Sequence, residues 1–248
     1  MKNLCIIQAR TGSTRLPNKV LKKINGISLL EYEISRIKQS KYIHKIIIAT
    51  TDSINDDKIE KICKKINIDC FRGSENDVLD RYYQCSLKYP EYENIIRITG
   101  DCPLIDPVVI DSVINFFKKN NFDYASNIEK ETFPDGMDVE VFKSSILKES
   151  ARHARLSSER EHVTQYIRKN KKFKKGNLES KEDFSKFRLT VDEKEDLDVV
   201  RFLVKNNSIK NSFKNYISVL EKNPKIMNKN INIKRNQGLI KSIKNDNI

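Results

Sequence analysis

Residues 3–9 (NLCIIQA) form an almost unbroken apolar run that gives way to the polar stretch RTGSTRLPNK at 10–19, the pattern of a buried strand emptying into a loop. Residues 28–39 (SLLEYEISRIKQ) then place Leu29, Leu30, Ile34 and Ile37 at helical spacing. Ser28, with Glu31 three residues on, is a capping-box signature, so a helix is predicted to start near Ser28. The alternation continues. KIIIATTD (45–52) predicts a central strand, and DDKIEKICKKI (56–66) a helix with apolar residues at 59, 62, 63 and 66. IDCFRG (68–73), NDVLDRYYQCSLKY (76–89), NIIRITGD (94–101) and PVVIDSVINFFKKN (107–120) read as strand, helix, strand and helix. Such alternation predicts an α/β fold with a mainly parallel sheet and helices on both faces.

Beyond residue 123 the pattern loosens. DYASNIE, GMDVEVFK and FRLTVD read as strands and 144–155 and 159–170 as helices, so the sheet is expected to be mixed, with an antiparallel portion here. The amphipathic segment 194–205 (KEDLDVVRFLVK) closes the main pattern. No linker composition or internal repeat divides the chain. A single domain over 1–248 is expected, with 123–190 as a less regular acceptor-binding or dimerisation portion and 206–248 as a C-terminal extension.

Composition narrows the class. No run approaches the roughly 18–20 apolar residues of a spanning helix, and MKNLCII is too short for a signal peptide, so a cytoplasmic protein without membrane contact is expected. The cysteines at 5, 63, 70, 85 and 102 make no C-x-x-C pair, and His44, His153 and His162 have no zinc spacing. The net charge of +13 comes from lysines scattered among asparagines, without aromatic platforms or a nucleic-acid motif. Nucleic-acid binding would account for the charge, but not for carboxylates placed directly after strands, which repel phosphate unless a metal intervenes.

Those carboxylates and one basic loop carry the candidate chemistry. Arg10, Gly12, Ser13, Arg15 and Lys19 follow the first strand without Walker A spacing. A glycine, a hydroxyl and three cations at a strand's carboxyl end still suit a triphosphate cradle, although a solvated basic loop has the same composition. Asp101 emerges from the fourth predicted strand after Gly100, where one carboxylate and substrate phosphates can hold Mg²⁺. Asp192 follows the β-type run after Arg188 and is the second metal candidate, whereas Asp106-Pro107 reads as an N-cap and Glu195-Asp196 as the acidic opening of a helix. Asp138 and Glu140 are expected on one face of a strand, suited to sugar hydroxyls or to a base, and His162 is the histidine with polar company.

In order along the chain, IIQARTGSTRLPNKVL, IIATTD, VLDRYY, RITGDCPLIDP, PDGMDVEVF, EREHVTQYI and RLTVDEKEDL resemble the SpsF-like cytidylyltransferase family, relatives of the synthetases that activate 3-deoxy-manno-octulosonate and sialic acids. NPKIMNKNINIKRNQGLIKSI resembles the family's C-terminal region, so the resemblance covers nearly the whole chain. It implies a Rossmann-like, GT-A-like nucleotidyltransferase fold, a homodimer, and transfer of a nucleotidyl group from CTP to a sugar, sugar acid or sugar phosphate with loss of pyrophosphate, in surface-glycan biosynthesis. By similarity Arg10, Ser13, Arg15 and Lys19 bind the triphosphate, while Asp101 and Asp192, the latter in a V-D-x-x-E-D-like stretch, hold Mg²⁺. Arg10, Lys19 and Asp101 are the expected catalytic groups. The nucleotide-binding set extends to Gln8, Ala9, Thr11, Gly12, Thr51, Asp52 and Arg72, and the acceptor set is Arg97, Asp138, Glu140, His162 and Arg188. Thr11 stands where sugar-acid synthetases often carry the first glycine of A-R-G-G-S-x-R, which suits the SpsF-like branch and leaves the acceptor open. The competing enzyme reading is a nucleotide-sugar glycosyltransferase, for which Asp138-Val-Glu140 weakly resembles a D-x-D metal motif.

Overall fold

The computed structural model describes residues 2–205 and 209–246; the remaining positions of the expected domain, including 206–208 at the head of the expected extension, lie outside the described residues. The opening apolar run is β1 (Asn3–Gln8), and after the basic loop a small ribbon, β2 (Lys23–Ile24) and β3 (Ile27–Ser28), leads into α1 (Leu29–Ile37). The predicted capping box is present: the Ser28 hydroxyl accepts from the Glu31 N–H at 3.2 Å and the Glu31 carboxylate accepts from the Ser28 N–H at 2.8 Å. Then come β4 (Lys45–Thr51), α2 (Asp57–Lys65), β5 (Asp69–Gly73), α3 (Val78–Leu87), β6 (Asn94–Thr99) and α4 (Pro107–Lys119), as the alternation predicts. Asp106 caps α4, accepting from the Val108 N–H at 2.8 Å, as its sequence context suggests.

Seven strands form one sheet in the order β5-β4-β1-β6-β8-β7-β9, completed by β7 (Tyr124–Ser126), β8 (Glu140–Lys143) and β9 (Lys175–Asn177). The first four are parallel; β8 runs antiparallel to β6 and to β7. Side chains of β1 alternate between two cores, Cys5 and Ile7 on one face and Leu4 and Ile6 on the other. Helices α1, α2 and α4 cover the first face and α3 the second, so both faces are buried and the strand reads as a continuous apolar run. The chain steps outward from β1 through β4 to β5, then returns to place β6 on the other side of β1. This makes the carboxyl ends of β1 and β6 the switch point of the sheet, where doubly wound folds place their ligands.

The second half departs from the expected pattern in several places, the unforeseen β9 among them. FRLTVD is not a strand: residues 187–192 form an irregular strap that hydrogen-bonds to two loops, Leu189 N–H to Asp135 O at 2.7 Å and Val191 N–H to Asp101 O at 2.8 Å. Its bonds go to loops because the ion pairs of Arg188 and Asp192 hold it over the end of the sheet. In GMDVEVFK only Glu140–Lys143 is strand, with Gly136 at φ +99° turning the chain where a Cβ would lie 2.6 Å from the Thr190 nitrogen. The helix expected over 159–170 is two, α6 (Ser157–Glu161) and α7 (Gln165–Lys169), after α5 (Ser144–His153). They are separated at Val163, buried with φ +58°, where the Thr164 N–H turns back to His162 O. The C-terminal part adds α8 (Lys194–Lys205), α9 (Phe213–Glu221), α10 (Pro224–Met227) and α11 (Gln237–Asn245). Buried Arg36 of α1 ties α9 to the core through the Tyr216 hydroxyl at 3.1 Å and the Ile105 carbonyl at 2.6 Å. No helix among the described residues is long and apolar enough to cross a membrane.

Candidate active site

At the switch point the Gly100 N–H donates to Gln8 O at 2.8 Å, closing the end of β6 onto the end of β1. A Cβ on Gly100 would lie 2.9 Å from that carbonyl oxygen, so the close approach requires glycine and fixes where the next residue, Asp101, emerges. Lys19 comes to the same point from a single turn of 3-10 helix (Lys19–Leu21), which buried Val20 pins to the core. The Lys19 Nζ donates to Asp101 Oδ2 at 2.8 Å and to Asp192 Oδ1 at 2.7 Å, and all three side chains are largely buried. Arg15 joins from the same loop, its Nη2 3.1 Å from Asp192 Oδ1 and its Nη1 3.4 Å from both Glu193 Oε1 and Gln237 Oε1. Carboxylates 91 positions apart in the chain thus share one ammonium.

Asp192 is held from behind. Arg188 donates to Asp192 Oδ2 at 3.0 Å, to Asp196 Oδ1 at 2.9 Å, and to Asp135. Asp196, fully buried at the start of α8, also accepts from the Asp192 and Glu193 N–H groups at 3.0 Å each. Its opening of the helix agrees with the sequence reading, but it is also the anchor of the strap, which that reading did not foresee.

Burial works against the charged form of Lys19, yet the two carboxylates outweigh it and hold its pKa above the ordinary lysine value. For Asp101 burial again opposes charge, and Lys19 overcomes it, bringing the carboxyl down to about 2. Glu33 of α1 lies fully buried behind this pair, and neither carboxylate oxygen makes a hydrogen bond of normal geometry. Burial, then the charge of Asp101, raises its pKa well above the usual carboxylate range. A carboxyl raised in the folded state contributes stability that is complete below its unfolded value, about 4.3, and is lost as pH climbs toward the folded value. Glu33→Gln, uncharged at every pH, is therefore expected to be more stable than the native protein at neutral pH, with the difference vanishing near pH 4. Thermal unfolding across that range measures it, and equal stabilities at neutral pH would refute the assignment.

Beside the two carboxylates opens a cavity of about 250 Å³ over the ends of β1, β6 and β8. Gln8, Arg15, Arg97, Asp138, Glu140 and His162 line it, as the sequence reading expects of a shared site, together with Asp101 and Asp192. Arg97 pairs with Glu140 and reaches Gln8 Oε1 at 3.2 Å, while the Tyr124 hydroxyl donates to the other Glu140 oxygen at 2.8 Å. Glu140 is buried, and although burial pushes its pKa up, the guanidinium of Arg97 outweighs that and holds it below the usual range. Burial keeps His162 below its ordinary pKa, and its Nε2 lies 3.0 Å from the Ser242 hydroxyl. The turn at Val163 presents Thr164 and Gln165 to the same cavity.

Other expected ligands lie elsewhere. Thr11 spends both its N–H and hydroxyl on buried Asp56, at 2.8 and 2.6 Å, and Thr51 gives its hydroxyl to the same carboxylate; neither lines the cavity. Arg72 is engaged by Asp57, Glu60 and the carbonyls of Thr51 and Ser53, and Asp52 pairs through its backbone with Gly73; neither reaches the cavity. Arg188, expected among the acceptor ligands, gives its guanidinium to three aspartates and does not line the cavity. Arg10 is half-exposed against Glu75 at 3.1 Å, Ala9 is buried, and Gly12 and Ser13 sit on the outer loop; none lines the cavity. Asp138 does line it but is paired with Arg235. Sequence reasoning missed Arg168 and Gln237 on the cavity wall and Arg235 as the partner of Asp138, although the run RNQG at 235–238, polar with a glycine before an apolar-periodic segment, carried a helix-start signal.

A sequence profile for cytidylyltransferases matches residues 4–235. The chain belongs to the cytidylyltransferase family. Among its relatives, an uncharacterised protein of Methanocaldococcus jannaschii is 41% identical over 239 residues, covering 95% of this chain and 97% of that one. The spore coat polysaccharide biosynthesis protein SpsF of Bacillus subtilis is 36% identical, covering 89% and 95%. A 3-deoxy-manno-octulosonate cytidylyltransferase of Hydrogenovibrio crunogenus is 30% identical over 57% of each chain. A solved cytidylyltransferase of Leptospira borgpetersenii superimposes with a TM-score of 0.87 at 38% identity, over 92% of this chain and 97% of its own. The resemblance to the SpsF-like branch and the Rossmann-like cytidylyltransferase fold are thus both established.

Proposed function

We propose that this cytidylyltransferase moves the cytidylyl group of CTP onto an oxygen of a sugar acid or sugar phosphate, releasing pyrophosphate, in the cytoplasm and for surface-polysaccharide synthesis. The observation that carries this reading is the convergence of Asp101 and Asp192 on one ammonium at the switch point, with Arg15 beside them. The naming of SpsF for spore coat polysaccharide and of the Hydrogenovibrio enzyme for a sugar acid supports the acceptor class.

The donor set fits a divalent cation. Two carboxylates reach a single positively charged atom, and a site of one or two carboxylates that leaves room for substrate phosphates suits Mg²⁺. Asp101 and Asp192 are the residues that would hold it, and when bound it neutralises charge on the phosphate oxygens. In the reaction an acceptor oxygen forms a bond to the α-phosphorus as the bond to the pyrophosphate oxygen breaks. Arg15 and Lys19 offset the charge gathering on the leaving pyrophosphate. Arg97, His162 and Gln165 line the cavity where the acceptor must lie to attack in line. An acceptor phosphate arrives ionised and needs no base; a hydroxyl of a sugar or sugar acid would pass its proton to a neighbouring carboxylate, for which Asp138 lies at the cavity wall.

The glycosyltransferase reading loses its motif. Asp138 pairs with Arg235 and Glu140 with Arg97, so the two do not turn toward a common cation. Pyrophosphate release from the four nucleoside triphosphates, each offered with Mg²⁺ against a panel of sugar acids and sugar phosphates, tests the proposal. CTP is expected to support turnover at least tenfold above the others, and activity confined to UTP or GTP would overturn it.

A further inference from the structure

The profile match ends at Arg235, yet the cavity does not. Asn236, Gln237, Gly238 and Leu239, the start of α11, form one of its walls. The wall is pinned at both ends. Arg235, its side chain only 12% exposed, pairs with Asp138 and lies 3.5 Å from Glu131, and Asn236 donates to Glu131 at 2.8 Å. At the far end the Ser242 hydroxyl pairs with Glu161 and meets His162, and Asp246 accepts from the Ser158 N–H at 2.8 Å. The Gln237 carboxamide accepts from Arg15 of the basic loop.

Gly238 is the gap in this wall. A Cβ built on it meets only His162 Cε1, at 3.9 Å, and both residues face the cavity. It lies in the first turn of a helix and needs no positive φ, so nothing in its backbone calls for glycine. The missing side chain leaves room beside His162 in a cavity that Arg97 of β6 and Glu140 of β8 also line and that neither Thr51 nor Arg72 lines.

We propose that Gly238 is a specificity-determining position: its lack of a side chain sets how large an acceptor fits between α11 and His162. The inference rests on the proposed function, since it assigns this side of the cavity to the acceptor and not to the nucleotide. A wall fixed at both ends cannot yield to an added side chain, so the acceptor must lose the space.

The graded series Gly238→Ala, Gly238→Val and Gly238→Leu tests it, with the sugar acid or sugar phosphate that the native enzyme turns over fastest as acceptor. Acceptor KM is expected to rise with side-chain volume, about twofold for alanine and at least tenfold for leucine. The Kd for CTP with Mg²⁺, from titration calorimetry, should stay within twofold and the Tm within about 2 °C. An unchanged acceptor KM, or a CTP Kd that rises in parallel, would overturn the proposal. A second measurement needs no acceptor: the thiol of Gly238→Cys, labelled with a maleimide and corrected for the native cysteines, should react equally with and without CTP and Mg²⁺. Protection by CTP would place the nucleotide at this wall and refute the assignment. Failure of every acceptor with the native enzyme, while CTP binds and leaves the thiol open, would instead refute the proposed acceptor class and leave the wall standing.

Discussion

Asp101→Asn is expected to lower kcat/KM for pyrophosphate release by about a hundred- to a thousandfold, the scale seen when a group that stabilises transition-state charge is removed, while leaving the fold intact. Asparagine keeps the size of the side chain and an oxygen to accept from Lys19, so the 2.8 Å contact and the packing under it persist. What disappears is one of the two negative charges that balance the Lys19 ammonium and suit a divalent cation. The carboxyl, held near 2 against the opposition of burial, is ionised throughout the working pH range. A depressed acid of this kind contributes stability that is present above its unfolded value and lost as pH falls through the folded one, so Asp101 should add no ionisation to the rate profile between about pH 5 and 9. Steady-state rates across pH and Mg²⁺ concentration check both statements. Activity within tenfold of the native enzyme would remove Asp101 from the reaction.

The largest effect on stability is expected at Arg188. Its side chain, 5% exposed, pairs with Asp135, Asp192 and the fully buried Asp196. Burial disfavours the guanidinium, and the three carboxylates more than restore it, raising its pKa beyond the ordinary arginine value. Truncation in Arg188→Ala leaves those carboxylates facing one another with little solvent, and breaking a buried pair from one side costs about 3–5 kcal/mol. For a chain of this size that corresponds to a fall in Tm on the order of 10 °C. Arg188→Lys should recover little, because a point charge on a flexible stem cannot serve three separate acceptors as the planar fork does. Calorimetric unfolding of both variants decides the matter; a loss below about 1 kcal/mol in Arg188→Ala would show that the network is not a structural support.

Much of this architecture was legible in the chain. Short continuous apolar runs alternating with 3.6-residue periodicity up to residue 120 predicted β1, β4, β5, β6 and the helices between them, and a carboxylate directly after a strand and a glycine marked Asp101. Asp192 was found by its surroundings although the strand supposed to carry it is an irregular strap. What stayed ambiguous in the sequence has a common physical origin. Thr11, Thr51 and Arg188 have side chains suited equally to a ligand and to buried structure, and only the distant partners, Asp56 for the threonines and the three aspartates for the arginine, decide between the two. The break at Val163 contradicts local preference outright, since a β-branched residue at positive φ persists only where its surroundings over-determine it. The cavity wall at 236–239 was illegible as a site because its meaning depends on contacts across more than seventy positions, from Ser242 back to His162.

Arg15 and Lys19 meet Asp192 across 177 and 173 positions, and Arg15 meets Gln237 across 222. Closing loops of that length is costly before the contacts exist to reward it, so such contacts belong to the late stages of folding. On the ribosome, β1 through β6 can pair while the basic loop still lacks its aspartate and glutamine partners. The proposed cavity is then walled on every side only when the segment around Gln237 has been made and has docked.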